Sequence, residues 1–268
     1  MMNNNINLVT ERILSKTKTL WDSLSNEKQK LDTFDPNFLN IYPMLDIADS
    51  TCSTIAIYNY SKFIPEFITE NVQEILGFSR EEYLSEGSKL LFSYLHPSHA
   101  DFPLTTSKLF ESVFNNLEPN KESNILATCC GLKFNHPLKG TIRLLIQQYF
   151  IHSENNQTPL RALSTIQDVS HFMKGDSYCF RIIYGDKYQN SSILHSDNKK
   201  ISFQNDMLSN RELEILQLIA QGKETPVIAS TLFISQNTVN NHRQNMLDKM
   251  GAKDTTSLVE LARICHLI

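Results

Sequence analysis

Residues 208–251 read LSNRELEILQLIAQGKETPVIASTLFISQNTVNNHRQNMLDKMG, which contains three successive helix patterns separated by short breaks. Ser209 followed by Glu212 predicts a capping box at the start of the first helix. Gly222 predicts the end of that helix, because only glycine enters the left-handed conformation at low cost. Thr225 precedes a proline and predicts the cap of a short second helix. A short helix, a tight turn and another helix are the order of a helix-turn-helix.

The third helix, predicted from 236 to about 250 between Ser235 as its cap and Gly251 as its end, has two unlike faces. At about 100° per residue, the apolar face is formed by Val239, Met246 and Met250. The opposite face carries amides, namely Asn237, Asn240, Asn241 and Gln244. Because Asn and Gln pair bidentately with the adenine edge in the major groove, this face is a candidate reader of DNA bases. A solvated polar face is the alternative interpretation.

The segment 208–268 resembles the LuxR/NarL-type helix-turn-helix domain along its whole length. The residues that carry the resemblance stand at fixed spacing: Leu208, Arg211, Glu212, Glu214, Leu216, Ala220, Gly222, Ile228, Ala229, Leu232, Ile234, Ser235, Thr238, Val239, His242, Asn245, Leu247, Lys249 and Gly251. The resemblance implies four helices, with the third in the major groove and the fourth, at about 254–265, serving dimerisation. The base contacts that it implies are Asn240, Asn241 and Gln244. The expected phosphate contacts are Thr238, His242, Arg243, Asn245 and Lys249, with Arg243 nearer the apolar side than the others.

The segment also departs from that family. Asn240 stands where the family often has Lys, and Pro226 stands where Lys or a polar residue is usual. From Gln204 onward there are six Lys/Arg residues against seven Asp/Glu residues. Because non-specific affinity for DNA comes mostly from phosphate neutralisation, we expect a single domain to bind weakly and to depend on dimerisation.

The composition of the whole chain bounds the class of protein. Its 268 residues suit two domains, and a net charge of -4 means that any DNA contact must be focal. The five cysteines are odd in number and include no C-x-x-C pair, which predicts reduced thiols and neither a disulfide frame nor a zinc site. With no signal-peptide layout and no apolar run of about 18 residues, we expect a cytoplasmic protein without a membrane partner.

Ahead of this domain, the patterns predict two strands, a cluster of short helices and three long strands. Asn71 is the expected cap of a one-turn helix ending at Gly77, and Ser79 with Glu82 forms a second capping box. A longer helix is predicted at about 104–117. The three long strands are predicted at 123–134, 141–152 and 160–169.

Two pieces of this half, FITENVQEILGFSREEYL at 67–84 and LHPSHAD at 95–101, resemble PAS-domain segments. The resemblance covers about 46–172 and implies a five-stranded antiparallel sheet with helices over one face, used to sense a small molecule, to carry a cofactor or to dimerise. The predicted fold class is therefore α+β, with a PAS-like sheet domain and an all-α four-helix domain. The predicted division is a helical extension at 1–43, a PAS-like domain at 44–172, a hairpin linker at 173–203 and a DNA-binding domain at 204–268, with its helix-turn-helix at about 225–244.

No cofactor is expected in the PAS-like domain. The Asn-Cys-Arg-Phe-Leu run of flavin-binding members is absent from the sequence. The strand cysteines expected to be core thiols are Cys52, Cys129 and Cys130. A haem would need an axial ligand, and the candidates are His96 and His99, although loop histidines are usually exposed or bonded to backbone.

A small ligand of unknown identity is the remaining option for this domain. An apolar pocket lined by Phe92, Phe110 and Phe114 would hold it, although aromatics at helical spacing more often form a core.

These observations favour a dimeric transcription regulator that reads an inverted repeat with half-sites about one DNA turn apart. Its partners would be double-stranded DNA, a second copy of the chain and RNA polymerase. One alternative is a protein-interaction module whose C-terminal helices bind a partner. Another is a response regulator of non-standard input, but the N-terminal half lacks the alternating βα order of a receiver domain. An enzyme is not expected, because nucleophile-elbow, P-loop, dinucleotide-binding and zinc-protease motifs are all absent.

Overall fold

The structure is a computed structural model that describes residues 15–16, 19, 48, 52–60, 62, 64–115, 124–151, 161–176, 178–185, 190–196, 199–202 and 207–268. The helical extension predicted for 1–43 lies outside the described residues except at three positions, which are helical. The described strands are β1 (Ser53–Asn59), β2 (Ile64–Ile68), β3 (Asn124–His136), β4 (Gly140–Ile151), β5 (Arg161–Asp168), β6 (Cys179–Gly185), β7 (Asn190–Ser196) and β8 (Lys199–Ser202). The helices are α1 (Val72–Leu76), α2 (Arg80–Glu86), α3 (Ser88–Ser93), α4 (Phe102–Asn115), α5 (Asn210–Ala220), α6 (Thr225–Thr231), α7 (Gln236–Met250) and α8 (Thr255–Ile264), with a 3₁₀ turn at Pro97–His99.

The described strands form one antiparallel sheet in the order β2-β1-β5-β4-β3-β6-β7-β8. The first five strands occupy a continuous half of it, and α1–α4 cover one face, as the α+β fold class predicted. The predicted count of five strands was wrong for the sheet as a whole. Residues 173–203 contain β6, β7 and β8, and these strands continue the sheet because β6 pairs along the free side of β3.

The two faces of the sheet are separated by the alternation of side chains along each strand. In β5, Ala162 and Ile166 are buried beneath the helices while their neighbours are partly exposed. In β3, a bulge shifts the register between Cys130 and Leu132, at a glycine with φ of 91°. Because of this bulge, Leu132 packs on the helix-covered face and Cys130 on the opposite face.

The local signals for the short helices have mixed outcomes. The capping box of Ser79 and Glu82 is confirmed at the start of α2. Asn71 occupies the cap position of α1 and Gly77 ends the helix, as predicted, but the Asn71 side chain makes no capping hydrogen bond. Its amide instead donates to the Ser53 carbonyl oxygen at 2.7 Å and accepts from the Thr69 hydroxyl at 2.6 Å, so it fastens the loop before α1 to the start of β1.

The C-terminal helices follow the predicted order closely. The Ser209–Glu212 capping box is confirmed, and α7 has the predicted bounds with Gly251 in the left-handed region at φ 63°. The cap of α6 was misplaced by one residue, because Glu224 occupies the cap position and Thr225 already lies in the helix. Ile215 of α5 is fully buried in the core of this domain.

The apolar core of the C-terminal helices continues onto the face of the sheet that α1–α4 leave uncovered. Cys130, Leu145 and Cys179 from that face belong to the same buried cluster as Met250 and Leu261. The sheet is therefore covered on one side by its own helices and, around β3, β4 and β6, on the other side by the helix-turn-helix domain.

Candidate nucleic-acid interface and buried cavity

Helix α7 has its apolar side buried and its amide side exposed. Val239 and Met246 are 0% exposed and Met250 is 6% exposed, because they pack against the other helices of the domain. The Ser235 hydroxyl accepts a hydrogen bond from the Thr238 backbone N–H at 3.0 Å, which fixes where the helix begins. The start of the helix and its rotation are therefore set within the domain, and its free side is well defined.

The three predicted base-contact residues lie together on that free side. Asn240, Asn241 and Gln244 are all exposed. The Gln244 side-chain amide donates to the Asp248 carboxylate at 2.9 Å, one turn along the helix. A base that pairs with Gln244 would compete with this exposed intrahelical bond, which is weak in water.

The predicted phosphate contacts divide into two groups. Thr238, His242 and Asn245 flank the amide face and are partly or fully exposed. Arg243 instead turns toward α6, where one guanidinium nitrogen donates to the Thr225 hydroxyl at 3.2 Å. Lys249 is engaged within the domain, because its ammonium lies 2.7 Å from a carboxylate oxygen of Glu212.

The Glu212–Lys249 pair joins α5 to α7 and was missed by the sequence reading. Glu212 is 3% exposed, and one of its carboxylate oxygens also accepts the capping hydrogen bond from the Ser209 N–H at 2.7 Å. Burial alone would raise the pKa of this carboxyl, but hydrogen bonds from Lys249 and Ser209 outweigh it and the pKa is lowered. The charged pair therefore holds α7 against α5, the first helix of the domain.

The turn between α6 and α7 exposes an aromatic side chain. Phe233 is 94% exposed and has φ of 54°, a conformation that bulky residues rarely adopt. It lies two residues before Ser235, the cap of α7. The apolar surface at this corner of the domain is therefore adjacent to the start of the candidate DNA-reading face.

A cavity of about 80 Å³ lies between the sheet and α2–α4. Seven aromatic residues line it: Tyr58, Tyr60, Tyr83, Phe92, Phe102, Phe110 and Phe180. Phe92 and Phe110 line it as expected, whereas Phe114 does not. Phe114 instead packs against Phe150 with ring centroids 5.9 Å apart, so its predicted place in the pocket was wrong.

The polar groups of the cavity are uncharged. Hydroxyls and one amide reach its wall from Ser88, Thr106, Ser107, Gln148 and Ser164. Burial raises the pKa of Tyr60 and of Tyr83 well above the ordinary value, so both phenols remain neutral at physiological pH. The Tyr58 hydroxyl is hydrogen-bonded to Ser88. A charged ligand would therefore lose its hydration without meeting an opposite charge.

The two histidines considered as haem ligands are used by the fold. His99 is buried, with one ring nitrogen 2.9 Å from the Asp176 carbonyl oxygen and the other accepting from the Lys133 N–H at 3.0 Å. His96 accepts a hydrogen bond from the Ser98 N–H at 3.2 Å. Neither histidine lines the cavity. Cys52 was expected in the core but is exposed in the turn before β1, at φ of 49°.

The described parts of the chain contain no group of three or more His, Cys, Asp or Glu side chains arranged to hold a metal ion. None of the helices described there combines the length and apolarity that crossing a bilayer requires.

Comparison with known proteins identifies the family of the C-terminal domain. A family model described as bacterial regulatory proteins, luxR family, matches residues 206–262. The spore germination protein GerE of Bacillus subtilis is 45% identical over 62 residues, which cover 23% of this chain and 84% of GerE. The transcription regulator BvgA of Bordetella pertussis is 41% identical over 68 residues, which cover 25% of this chain and 31% of BvgA. The chain thus spans about a third of the length of BvgA.

Among solved structures, the phage VqmA–DPO complex is similar with a TM-score of 0.31 and 12% identity, over 87% of this chain and 91% of that one. The match to 84% of GerE at 45% identity decides the family. The chain belongs to the luxR family of bacterial regulatory proteins, and its C-terminal residues form the DNA-binding helix-turn-helix domain of that family.

Proposed function

We propose that two copies of this chain bind an inverted-repeat operator through their α7 helices and regulate transcription in the cytoplasm. The observation that carries the proposal is the two-sided construction of α7, with Val239, Met246 and Met250 buried and the amides exposed. A two-fold symmetric pair of such helices fits half-sites about one DNA turn apart.

Within each half-site, Asn240, Asn241 and Gln244 would contact base edges. Amide side chains favour adenine, since its major-groove edge offers one donor and one acceptor in the arrangement that an amide matches. Thr238, His242 and Asn245 would contact the phosphates on either side.

The remaining two predicted phosphate contacts have partners inside the domain. Arg243 is bonded to Thr225, and Lys249 is paired with Glu212. We therefore assign them to holding α7 in place, with phosphate contact by Arg243 or Lys249 requiring release of that partner.

The charge of the domain supports dependence on a dimer. With six basic and seven acidic residues after 203, few phosphates are neutralised per domain. Each phosphate contact adds about 0.9 to the slope of log affinity against log salt on duplex DNA. The slope should therefore be shallow, and the affinity should come from the two DNA-binding domains of a dimer binding together.

A selection experiment tests the proposal. Purified full-length protein would be incubated with a random-sequence DNA pool at low salt, and the bound fraction sequenced. We expect an enriched inverted repeat containing adenines. Asn241→Ala and Gln244→Ala should each weaken binding to that repeat roughly tenfold or more, because each removes a bidentate base contact. A pool without any enriched dyad contradicts the proposal.

A matched control is available on α5. Gln217 is an exposed amide of the same domain, and it lies outside the face of α7 that carries Asn241 and Gln244. Gln217→Ala should leave operator affinity unchanged, which separates the loss of a base contact from any general effect of removing an amide.

We also propose that the cavity binds a small, uncharged and largely apolar molecule with one or two hydrogen-bonding groups. The aromatic wall and the neutral hydroxyls support this class of ligand. The cavity of about 80 Å³ is smaller than the roughly 150 Å³ cavity known to hold benzene, so the ligand must be compact or must displace the wall.

A native mass spectrum of freshly purified protein tests ligand retention and dimer state together. We expect a dimer, with a retained small molecule that is lost on denaturation. Ala127 lines the cavity and is 1% exposed, so Ala127→Leu should fill part of the space and reduce the retained molecule. Retention unchanged in a folded Ala127→Leu variant would contradict binding in this cavity.

Phe233 supports a second candidate function, in which the C-terminal helices bind a partner protein such as RNA polymerase. An aromatic side chain that is 94% exposed is typical of a protein contact. The same variants discriminate between the two functions. If operator binding is unchanged in Asn241→Ala and Gln244→Ala, the exposed face is a partner surface instead of a DNA reader.

A further inference from the structure

The two domains are joined by backbone hydrogen bonds as well as by apolar packing. The Lys174 N–H donates to the Gly251 carbonyl at 2.8 Å, and the Lys253 N–H donates to the Phe172 carbonyl at 3.0 Å. These bonds flank an antiparallel bridge between Met173 and Ala252. The segment after β5 therefore meets the end of α7 as a short two-stranded contact.

A second contact lies where α8 ends. Arg181 on β6 donates to the Cys265 carbonyl at 2.7 Å and also to the His266 carbonyl. Arg181 is 7% exposed, so these bonds are made away from water. A cation at the C-terminal end of a helix is favoured by the helix dipole, and here the cation belongs to the other domain.

Three thiols meet beside this contact, and they come from both domains. Cys130 on β3 and Cys179 on β6 are directly opposite each other in the sheet, on the face turned toward α8. Cys265 at the end of α8 lines the same cavity of about 10 Å³ as both of them. This space is at the lower limit for one water molecule, so the three sulfur groups are close neighbours.

The electrostatic surroundings distinguish Cys265 from the two strand thiols. The neighbouring Cys130 and Cys179 thiols, together with the Arg181 charge, lower the pKa of the Cys265 thiol. The proximity of Cys265 and burial raise the pKa of Cys130 and Cys179. The thiolate is the nucleophilic form of cysteine, so Cys265 is the reactive member of the cluster.

We propose that Cys265 is a redox-modification site at which a hydroperoxide cross-links the DNA-binding domain to the sheet, through a disulfide to Cys179 or Cys130. The Cys265 thiolate attacks one peroxide oxygen, the O–O bond breaks, and a sulfenic acid and hydroxide form. The sulfur of Cys179 or Cys130 then attacks the sulfenic sulfur, the S–O bond breaks, and water leaves. In total, two thiols lose two hydrogens and two electrons, and one peroxide becomes two waters or, for an alkyl hydroperoxide, one water and one alcohol.

Burial determines how fast this reaction occurs. Cys130 and Cys265 are each 2% exposed and Cys179 is 6% exposed, so peroxide reaches them slowly, through small openings of the contact that leave the three thiols and Arg181 together. Because the strand thiols lie beside Cys265, one of them completes the disulfide and the docked arrangement is held covalently. The reaction thus converts a reversible contact between the domains into a fixed one.

The experiment uses the full-length, reduced protein treated with hydrogen peroxide. A Cys52→Ser background removes the exposed thiol that would otherwise join two chains. After blocking of free thiols and digestion with trypsin, we expect the peptide 264–268 linked to the peptide that contains Cys179 or to the one that contains Cys130. Dithiothreitol should release the link. Recovery of Cys265 as a blocked free thiol, at peroxide levels that oxidise Cys52 in the parent chain, overturns the proposal.

Hydrogen exchange provides a second readout. The Lys174 and Lys253 amides are bonded across the domain contact, so their exchange reports its opening. In the Cys52→Ser protein, oxidation should slow exchange at both amides severalfold. In a Cys52→Ser/Cys265→Ser variant, peroxide should change neither. Equal slowing in both proteins contradicts a cross-link through Cys265.

A variant that keeps Cys265 covers the case in which Cys265→Ser does not fold. In Cys130→Ser/Cys179→Ser, the sulfenic acid of Cys265 has no thiol to react with, while the serine hydroxyls can still donate hydrogen bonds to Cys265. A 1,3-dicarbonyl probe should therefore label Cys265 several times more strongly than in the Cys52→Ser protein after peroxide treatment. Absence of labelling in the folded double variant refutes Cys265 as the site of first oxidation.

Discussion

The two domains contain the same helix-start sequence, Ser-x-x-Glu, in different surroundings. In the sheet domain the Ser79 N–H donates to Glu82 at 2.8 Å, and in the DNA-binding domain the Ser209 N–H donates to Glu212 at 2.7 Å. Glu82 is exposed, whereas Glu212 is buried and also binds Lys249. The local sequence thus predicts where each helix begins, and the packing decides whether the glutamate also forms an ion pair with another helix.

The glycines that end α1 and α5 also differ in their surroundings, but here the residue constrained by its neighbours lies in the sheet domain. Gly77 after α1 and Gly222 after α5 have nearly equal φ values, 81° and 77°. A Cβ atom added at Gly77 would lie 2.8 Å from the Pro137 ring, whereas one at Gly222 would meet nothing within 4 Å. The backbone requirement is shared, but only Gly77 is also required by its neighbours.

The largest effect is expected for Gly77→Ala. The left-handed backbone costs a residue with a Cβ about 1–2 kcal/mol, and overpacking against Pro137 adds roughly another 1–3 kcal/mol. We expect a loss of about 3 kcal/mol in the free energy of unfolding, measured by urea titration of the full chain. Gly222→Ala is the matched control and should lose about 1 kcal/mol, since only the backbone term applies. Equal losses would remove the contrast between the two sites.

Glu212→Ala should be next in size. It removes the capping bond to Ser209 and leaves the Lys249 ammonium, which is 37% exposed, without its partner. Partial solvation of Lys249 limits the loss to about 2 kcal/mol in the same titration. Glu82→Ala removes only an exposed capping bond, worth roughly 0.5 kcal/mol. A Glu82 variant as unstable as the Glu212 variant would show that burial does not distinguish the two boxes.

Acid should reproduce part of the Glu212 effect. The pKa of Glu212 is lowered in the folded chain, so its contribution is fully present above the pKa of the unfolded state. That contribution is lost as pH falls from about 4, the usual range for Glu, through the lower folded value. Urea titrations at successive pH values should therefore show a smaller acid-induced loss of stability in Glu212→Gln than in the parent chain. An identical pH dependence in both proteins would mean that Glu212 does not titrate with folding.

Much of the DNA-binding domain could be predicted from the sequence because its signals are local. Ser209, Ser235 and Gly251 lie at the ends of helices where the caps predicted them, and the buried side of α7 follows from helical spacing alone. The exposed position of Asn240, Asn241 and Gln244 follows from the same spacing.

The features that sequence reasoning missed depend on residues far apart in the chain. Lys249 was expected to contact DNA because the family resemblance implies it, but its partner Glu212 is 37 residues earlier. Cys179 lies in the predicted linker and Cys265 in the predicted DNA-binding domain, and they meet only because β6 extends the sheet beneath α8. No local sequence pattern indicates a contact between residues so far apart in the chain.

Effects smaller than that of Glu212→Ala are predicted for the two cap serines. Ser79→Ala and Ser209→Ala each remove one side-chain acceptor, for the Glu82 N–H at 3.2 Å and the Glu212 N–H at 3.3 Å. An N-cap serine contributes about 1 kcal/mol, and we expect this loss in each domain by urea titration. Near-equal losses in the two variants would show that the contribution of the cap serine does not depend on its surroundings, although the contribution of the glutamate does. A Ser209 loss close to that of Glu212→Ala would mean instead that the buried box acts as one unit with Lys249.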